Sequence, residues 1–137
     1  MHSILVKDYM DHNAHAVMSD ANIKDAVEYM LSDGVIGLPV IDTQEHVVGY
    51  VSEQDCIKEM LNDTFYCEEP ANITTVMKTD VVSVAPDTSI VEIAQSMVER
   101  RPKNYPVISD GKLVGIISRS HILKALLEND QDCYLRH

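Results

Sequence analysis

The chain lacks most of the features that would assign it a chemistry at once. It has no Gly-x-x-x-x-Gly-Lys-Ser/Thr, no Gly-x-Gly-x-x-Gly and no Gly-x-Ser-x-Gly. The usual phosphate-cradling loops and the nucleophile elbow are therefore missing, and the order of Ser, His and Asp suggests no triad. Nothing here reads as an enzyme. Cysteine is scarce and odd in number: Cys56, Cys67 and Cys133, without a Cys-x-x-Cys spacing. That pattern excludes a disulfide scaffold and fits three reduced thiols. No run of about 18 apolar residues occurs, which excludes a membrane-spanning helix. The start, Met1 to Asp8, has no basic stretch followed by a long apolar one; no secretion signal is read, and a cytoplasmic location is expected. His12-x-x-His15 has no third ligand in view, so the two read as loop histidines and no metal is expected.

Cations are also scarce, and unevenly so. The net charge is −11, which opposes nucleic-acid and anionic-membrane binding. Residues 1–70 carry 3 Lys/Arg against 14 Asp/Glu, while residues 71–137 carry 8 of each. Most cations available for a phosphate thus lie in the second half, among them Lys78, Arg100, Arg101, Lys103 and Arg119.

What the chain does contain is itself, twice. Met10 to Leu61 lies over Met77 to Leu127 with a shift of 67, which becomes 66 after a one-residue gap in a turn. Val17 falls on Val84, Ile23 on Ile90, Met30 on Met97, Pro39 on Pro106, Gly49 on Gly115 and Ser52 on Ser118. A repeat of this length sets the architecture. It predicts an α/β (α+β) fold of two similar units about a pseudo-two-fold axis, with ligand clefts between them. Each repeat alone, at about 60 residues, would be marginal, so a shared core is expected. The boundaries are residues 1–62 for the first repeat, 63–73 for a linker, 74–127 for the second repeat and 128–137 for a polar tail.

Within each repeat the pattern reads strand, helix, strand, strand, helix. Ala14 to Met18 is extended, and Ser19-Asp20 offers a helix cap. Ile23, Ala26, Val27, Met30 and Leu31 make one apolar helix face, ended by Gly34. Leu38 to Ile41 and His46 to Val51 form a hairpin, and a helix runs from about Glu53 to Leu61. In the second copy, Val81 to Val84 is the strand. Ile90, Ile93, Ala94, Met97 and Val98 make the helix face. Tyr105 to Ile108 and Leu113 to Ile117 form a hairpin whose Asp110-Gly111 suits a primed turn. The last helix runs from about Arg119 to Leu127.

Leu38-Pro39-Val40-Ile41-Asp42 before a turn, Val47-Val48-Gly49-Tyr50-Val51-Ser52-Glu53-Gln54-Asp55 after it, and the second copy's Tyr105 to Ile108 and Leu113 to His121, in a β-α-β-β-α unit, resemble the CBS domain. The resemblance runs from about Val6 to Leu127, and two copies resemble a Bateman module. It implies a regulatory module that binds AMP, ADP, ATP, S-adenosylmethionine or a related ligand, dimerises as a disc and acts on an unknown partner in trans. It places Asp55 on a ribose and Ser52 near a phosphate. Ile36, Gly37 and Tyr50 would come from the same repeat, and Met77, Val82, Pro102 and Lys103 from the other. By itself, Ser52-x-x-Asp55 reads equally as a capping box. The mirror site, Val35, Asn104, Ile116, Ser118, Arg119 and His121, has histidine for the ribose aspartate and is expected to be weaker. One ring donor and one acceptor replace two carboxylate oxygens, and the histidine would let binding follow pH. Apolar positions such as Ile57, Met60, Leu61, Ile122, Leu123 and Leu126 exceed what one layer covers, and a homodimer is expected. A ligand-free interaction module is the alternative function.

Overall fold

The structure is a computed structural model and describes residues 4–66, 69–100 and 103–135. Its contacts divide the chain into two units that cut across the repeat boundaries. One is His15–Val81; the other is Met1–Ala14 together with Val82–His137. They are called here the Asp55 unit and the His121 unit.

The Asp55 unit contains β1 (Val17–Met18), α1 (Ile23–Asp33), β2 (Gly37–Ile41), β3 (Val47–Ser52), α2 (Glu53–Tyr66) and α3 (Ile73–Val76). Its sheet has the order β1-β2-β3, with β1 parallel and β3 antiparallel to β2. Helix α1 is capped by Asn22 and Asp25, which form a capping box. The expected cap, Ser19-Asp20, instead lies in a turn: Ser19 N–H still pairs with Ile41 and extends the β1 ladder. Gly34 closes α1 in the left-handed region, φ 67°, where a residue without Cβ is least strained.

The His121 unit contains α4 (Ile90–Arg100), β4 (Asn104–Ser109), β5 (Lys112–Ser118) and α5 (Arg119–Leu135). A short 3-10 turn, Val6–Asp8, packs with them. Strands β4 and β5 pair antiparallel. The expected strand Val81–Val84 reduces to one parallel bridge, Val84 to Val107. The next rung is lost because Pro86 falls where the first copy has Ser19, and proline has no N–H to donate. The tail expected at 128–137 continues α5 as far as Leu135, and α2 runs on to Tyr66 through the start of the expected linker.

Both hairpins share one irregularity. The register shifts between Val40 and Ile41 and, at the equivalent place, between Val107 and Ile108. The loops differ. Asp110 and Gly111 both have positive φ, 53° and 78°, as a two-residue primed turn requires. The longer loop of the first copy is held by Asp42, whose carboxylate accepts the amides of Gln44 and His46.

Buried side chains form two clusters, one per unit, in place of the shared core expected. Ile23, Ala26, Leu38, Val40, Val51 and Ile73 lie in one; Val6, Ile90, Tyr105, Val107, Ile117 and Ala125 lie in the other. Each unit completes its core with a segment that precedes the opposite repeat. Residues 71–73 pair with 21–23, and residues 4–6 pair with 88–90. Val6 and Ile73 are fully buried as a result. The last residues of the two apolar helix faces, Leu31 and Val98, are each 79% exposed, contrary to expectation. Ile57, Met60, Leu61, Leu123 and Leu126 are exposed as well, whereas Ile122 is buried. Among the described residues no helix is long and apolar enough to cross a membrane.

Candidate functional site

The Asp55 unit gathers six of the nine residues expected at the main site. Strand β3 ends at Ser52 and α2 begins at once with Glu53. Ser52 N–H and Ser52 Oγ both donate to Asp55 Oδ2, at 3.0 and 2.9 Å, and Asp55 N–H donates back to Ser52 Oγ at 3.2 Å. The capping box is therefore formed, but it uses only one carboxylate oxygen. The other, Oδ1, lies 3.8 Å from Lys78 Nζ. Capping thus engages one oxygen of the side chain, and the other faces the Lys78 ammonium.

Around this carboxylate, the carbonyl of Ile36 accepts the Glu53 N–H at 3.0 Å. Gly37 pairs with Ser52 across the hairpin. A Cβ on Gly37 would lie 2.9 Å from ring carbons of Tyr50, so the glycine makes room for that ring. Met77 belongs to this unit and not with the second repeat. Its sulfur and the Lys78 carbonyl cover Gly49, where any Cβ would run into them. Lys78 itself bridges Tyr50 in antiparallel fashion, with backbone bonds of 2.8 and 2.9 Å. Cys56, beside Asp55 in sequence, is buried. Burial pushes its thiol pKa up, with the Asp55 charge adding to the effect, so it is a poor nucleophile.

The remaining expected residues of the main site lie elsewhere. Val82 is partly exposed in the His121 unit. Lys103 is exposed just before β4, its carbonyl accepting the Arg119 N–H at 3.2 Å. Pro102 lies outside the described residues.

The His121 unit repeats the frame with different chemistry. Asn104 pairs with Ser118, and Ile116 is bridged by Asp11 as Tyr50 is bridged by Lys78. The Asp11 carbonyl and Met10 cover Gly115. Val35 is not here; it packs on the core of the Asp55 unit. His121 takes over the cap. Ser118 N–H donates to His121 Nδ1 at 3.0 Å, and Ser118 Oγ lies 3.1 Å from the same nitrogen. An amide can only donate, so Nδ1 is the acceptor and the neutral ring carries its proton on Nε2. Burial lowers the His121 pKa; the nearby Asp11 charge opposes that shift and Lys124 adds to it. Arg119 opens α5 and is exposed.

His15 Nδ1–H donates to the Asp33 carboxylate at 3.0 Å and the ring packs edge-on against Tyr29, while a ring N–H of His12 donates to the Lys7 carbonyl. Among the described residues no group of three metal-ligating side chains occurs. Lys78, one of several cations the sequence offers to a phosphate, was not assigned to this site, though the shift of 67 places it on Asp11 and the pair covers equivalent glycines.

The family model of the CBS domain matches residues 6–62 and 73–128. This chain belongs to the CBS domain family. Its CBS repeats resemble CBSX2, a chloroplastic protein of Arabidopsis thaliana solved in complex with AMP, with a TM-score of 0.81 and 28% identity over 93% of this chain and 99% of that one. The CBS domain of a membrane protein from Sphaerobacter thermophilus superposes with a TM-score of 0.72 at 25% identity, covering 90% and 88% of the two chains. In sequence, the CBS pair is 28% identical over 121 residues to the Methanocaldococcus jannaschii protein MJ1225, and 30% over 114 residues to inosine-5'-monophosphate dehydrogenase of Nitrosopumilus maritimus. It spans 88% and 82% of itself in those matches but only 42% and 22% of the relatives' lengths.

Proposed function

We propose that this CBS pair is a regulatory module that binds an adenine nucleotide, with Asp55 holding the ribose, and that it signals to a separate partner. The observation that carries the reading is the division of labour on the Asp55 carboxylate. Oδ2 is committed to Ser52, whereas Oδ1 faces the exposed Lys78 ammonium at 3.8 Å. Two ribose hydroxyls can donate to a carboxylate held in this way, and the capping bonds fix its orientation before the ligand arrives. The Tyr50 ring, Ile36 and Met77 supply apolar surface for a base, and the AMP complex of CBSX2 supports adenine. The His121 site is proposed as the weaker one, because a single neutral Nε2–H donor replaces an anionic oxygen able to accept from both ribose hydroxyls. For the output, the ligand must bind two states of the module unequally. The exposed apolar residues of α1 and α2 in one unit, and of α4 and α5 in the other, are proposed as a homodimer surface.

A second reading, a ligand-free interaction module, is favoured by the completeness of the capping box, which gives Ser52 and Asp55 a purely structural task. Calorimetric titration with AMP, ADP, ATP and S-adenosylmethionine, on the native chain and on Asp55→Ala, separates the two. Saturable binding that weakens by about a hundredfold in the variant is the expected result. Flat traces for every ligand would overturn the sensor reading and leave the interaction module.

A further inference from the structure

We propose that Lys78 makes the Asp55 site select phosphorylated adenosine ligands over the bare nucleoside. The proposal rests on the reading of Asp55 as the ribose contact and adds the source of phosphate preference. The backbone of Lys78 is fixed, since its N–H and C=O both pair with Tyr50. Its side chain is 69% exposed, so the ammonium can swing about a fixed Cα while now lying 3.8 Å from Asp55 Oδ1.

Charge makes this lysine decisive. The Asp55 unit holds three lysines, Lys24, Lys58 and Lys78, no arginine, and thirteen carboxylates. Two of those carboxylates, Glu53 and Asp55, stand in the first turn of α2, so a phosphate brought here is repelled unless a cation accompanies it. Lys78 is the cation paired to this helix start. Ribose hydroxyls that donate to Oδ1 take the place of the Lys78 ammonium, which then needs another anion. A 5'-phosphate on the same ligand provides one through a charge-assisted hydrogen bond; a nucleoside does not. The equivalent position beside His121 is Asp11, a carboxylate, which would repel the same phosphate. Lys78 therefore also biases a nucleotide toward one half of the pair.

The test uses adenosine and AMP as probes on the native chain, on Lys78→Met, which keeps the length of the side chain, and on Lys78→Arg, which keeps the charge. In the native chain AMP should bind about tenfold or more tightly than adenosine. In Lys78→Met, AMP should weaken by about tenfold, while adenosine holds or tightens by up to about fivefold, the worth of one exposed ion pair. Lys78→Arg should restore the preference. An unchanged AMP-to-adenosine ratio in Lys78→Met, or equal loss of both ligands, overturns the proposal while leaving the ribose site intact. If Asp55→Ala binds AMP as the native chain does, or the native chain binds neither probe, the ribose reading itself fails and this proposal with it.

Discussion

The two helix starts, at Ser52 and at Ser118, share a backbone and oppose each other in charge. In each, a hairpin strand runs straight into a helix, a serine amide donates to the side chain three residues on, and a methionine-led segment covers a glycine. In one, the capping group is an aspartate beside a lysine; in the other it is a histidine near an aspartate. The capping requirement, one acceptor atom at the right place, is met by a carboxylate oxygen or by a neutral imidazole nitrogen alike. What remains after capping differs: a second anionic oxygen in one, an N–H donor in the other. A duplicated fold thus keeps its structural bond while a single residue changes the polar group left facing outward.

The sharpest way to break the comparison is Asp55→Ala against His121→Ala. The first should weaken nucleotide binding by about a hundredfold, the loss of a charge-assisted pair of hydrogen bonds. It should also cost about 1 kcal/mol of stability as a lost cap. The second should leave the main site unaffected. Calorimetry and denaturant titration on both variants read the two effects separately.

The comparison can also be inverted. Asp11→Lys combined with His121→Asp gives the His121 unit the polarity of the other, and the nucleotide stoichiometry per chain should rise from one toward two. His121→Asp alone brings a second carboxylate near Asp11 and should not raise it.

The shared frame is tested through its glycines. At Gly49 a new Cβ would approach the Lys78 carbonyl to 2.9 Å, and at Gly115 the Asp11 carbonyl to 2.7 Å. Because backbone must then move, Gly49→Ala and Gly115→Ala should each cost about 1–3 kcal/mol by denaturant titration. Gly34→Ala meets nothing within 4 Å and should cost about 1 kcal/mol, from its left-handed backbone alone.

The smallest expected effect is pH. The folded-state pKa of His121 is lowered by burial, and its Nδ1 must stay unprotonated to accept from Ser118. A depressed pKa means that the unfolded chain takes up the proton first. The contribution to stability is complete above the ordinary histidine value of about 6.5 and is lost as pH falls through the lower folded-state value. Melting temperature should therefore fall more between pH of about 7.5 and 5.5 in the native chain than in His121→Asn, whose amide oxygen can accept without titrating. Equal slopes would remove His121 as the source.

Much of this was legible from the repeat. Matching Val17 to Val84, Pro39 to Pro106 and Gly49 to Gly115 gave the main order of elements, both hairpins and, at Ser52 and Asp55, one capping motif, because side-chain periodicity and turn residues act over a few neighbours; the cap at His121 emerged only in the structure. The primed turn at Asp110-Gly111 and the Gly34 terminus were read correctly for the same local reason. The misjudged details are also local. Pro86 removes a rung that the valines of 81–84 suggested, and Asn22 displaces Ser19-Asp20 as cap because it stands one residue before the first helical amide. Leu31 and Val98 continue an apolar face beyond the point where the unit's core ends.

What the sequence determined by itself is the family, the two-repeat pattern and the identities of Asp55 and His121 at equivalent helix starts. Only the tertiary structure decided which segment completes which core. Residues 4–11 and 71–78 precede one repeat each and pack on the other. Both segments satisfy the same local pattern in either place, so the choice depends on where the chain returns after dozens of residues. That return brings Lys78, rather than a residue of the first repeat's own leading segment, to the second oxygen of Asp55.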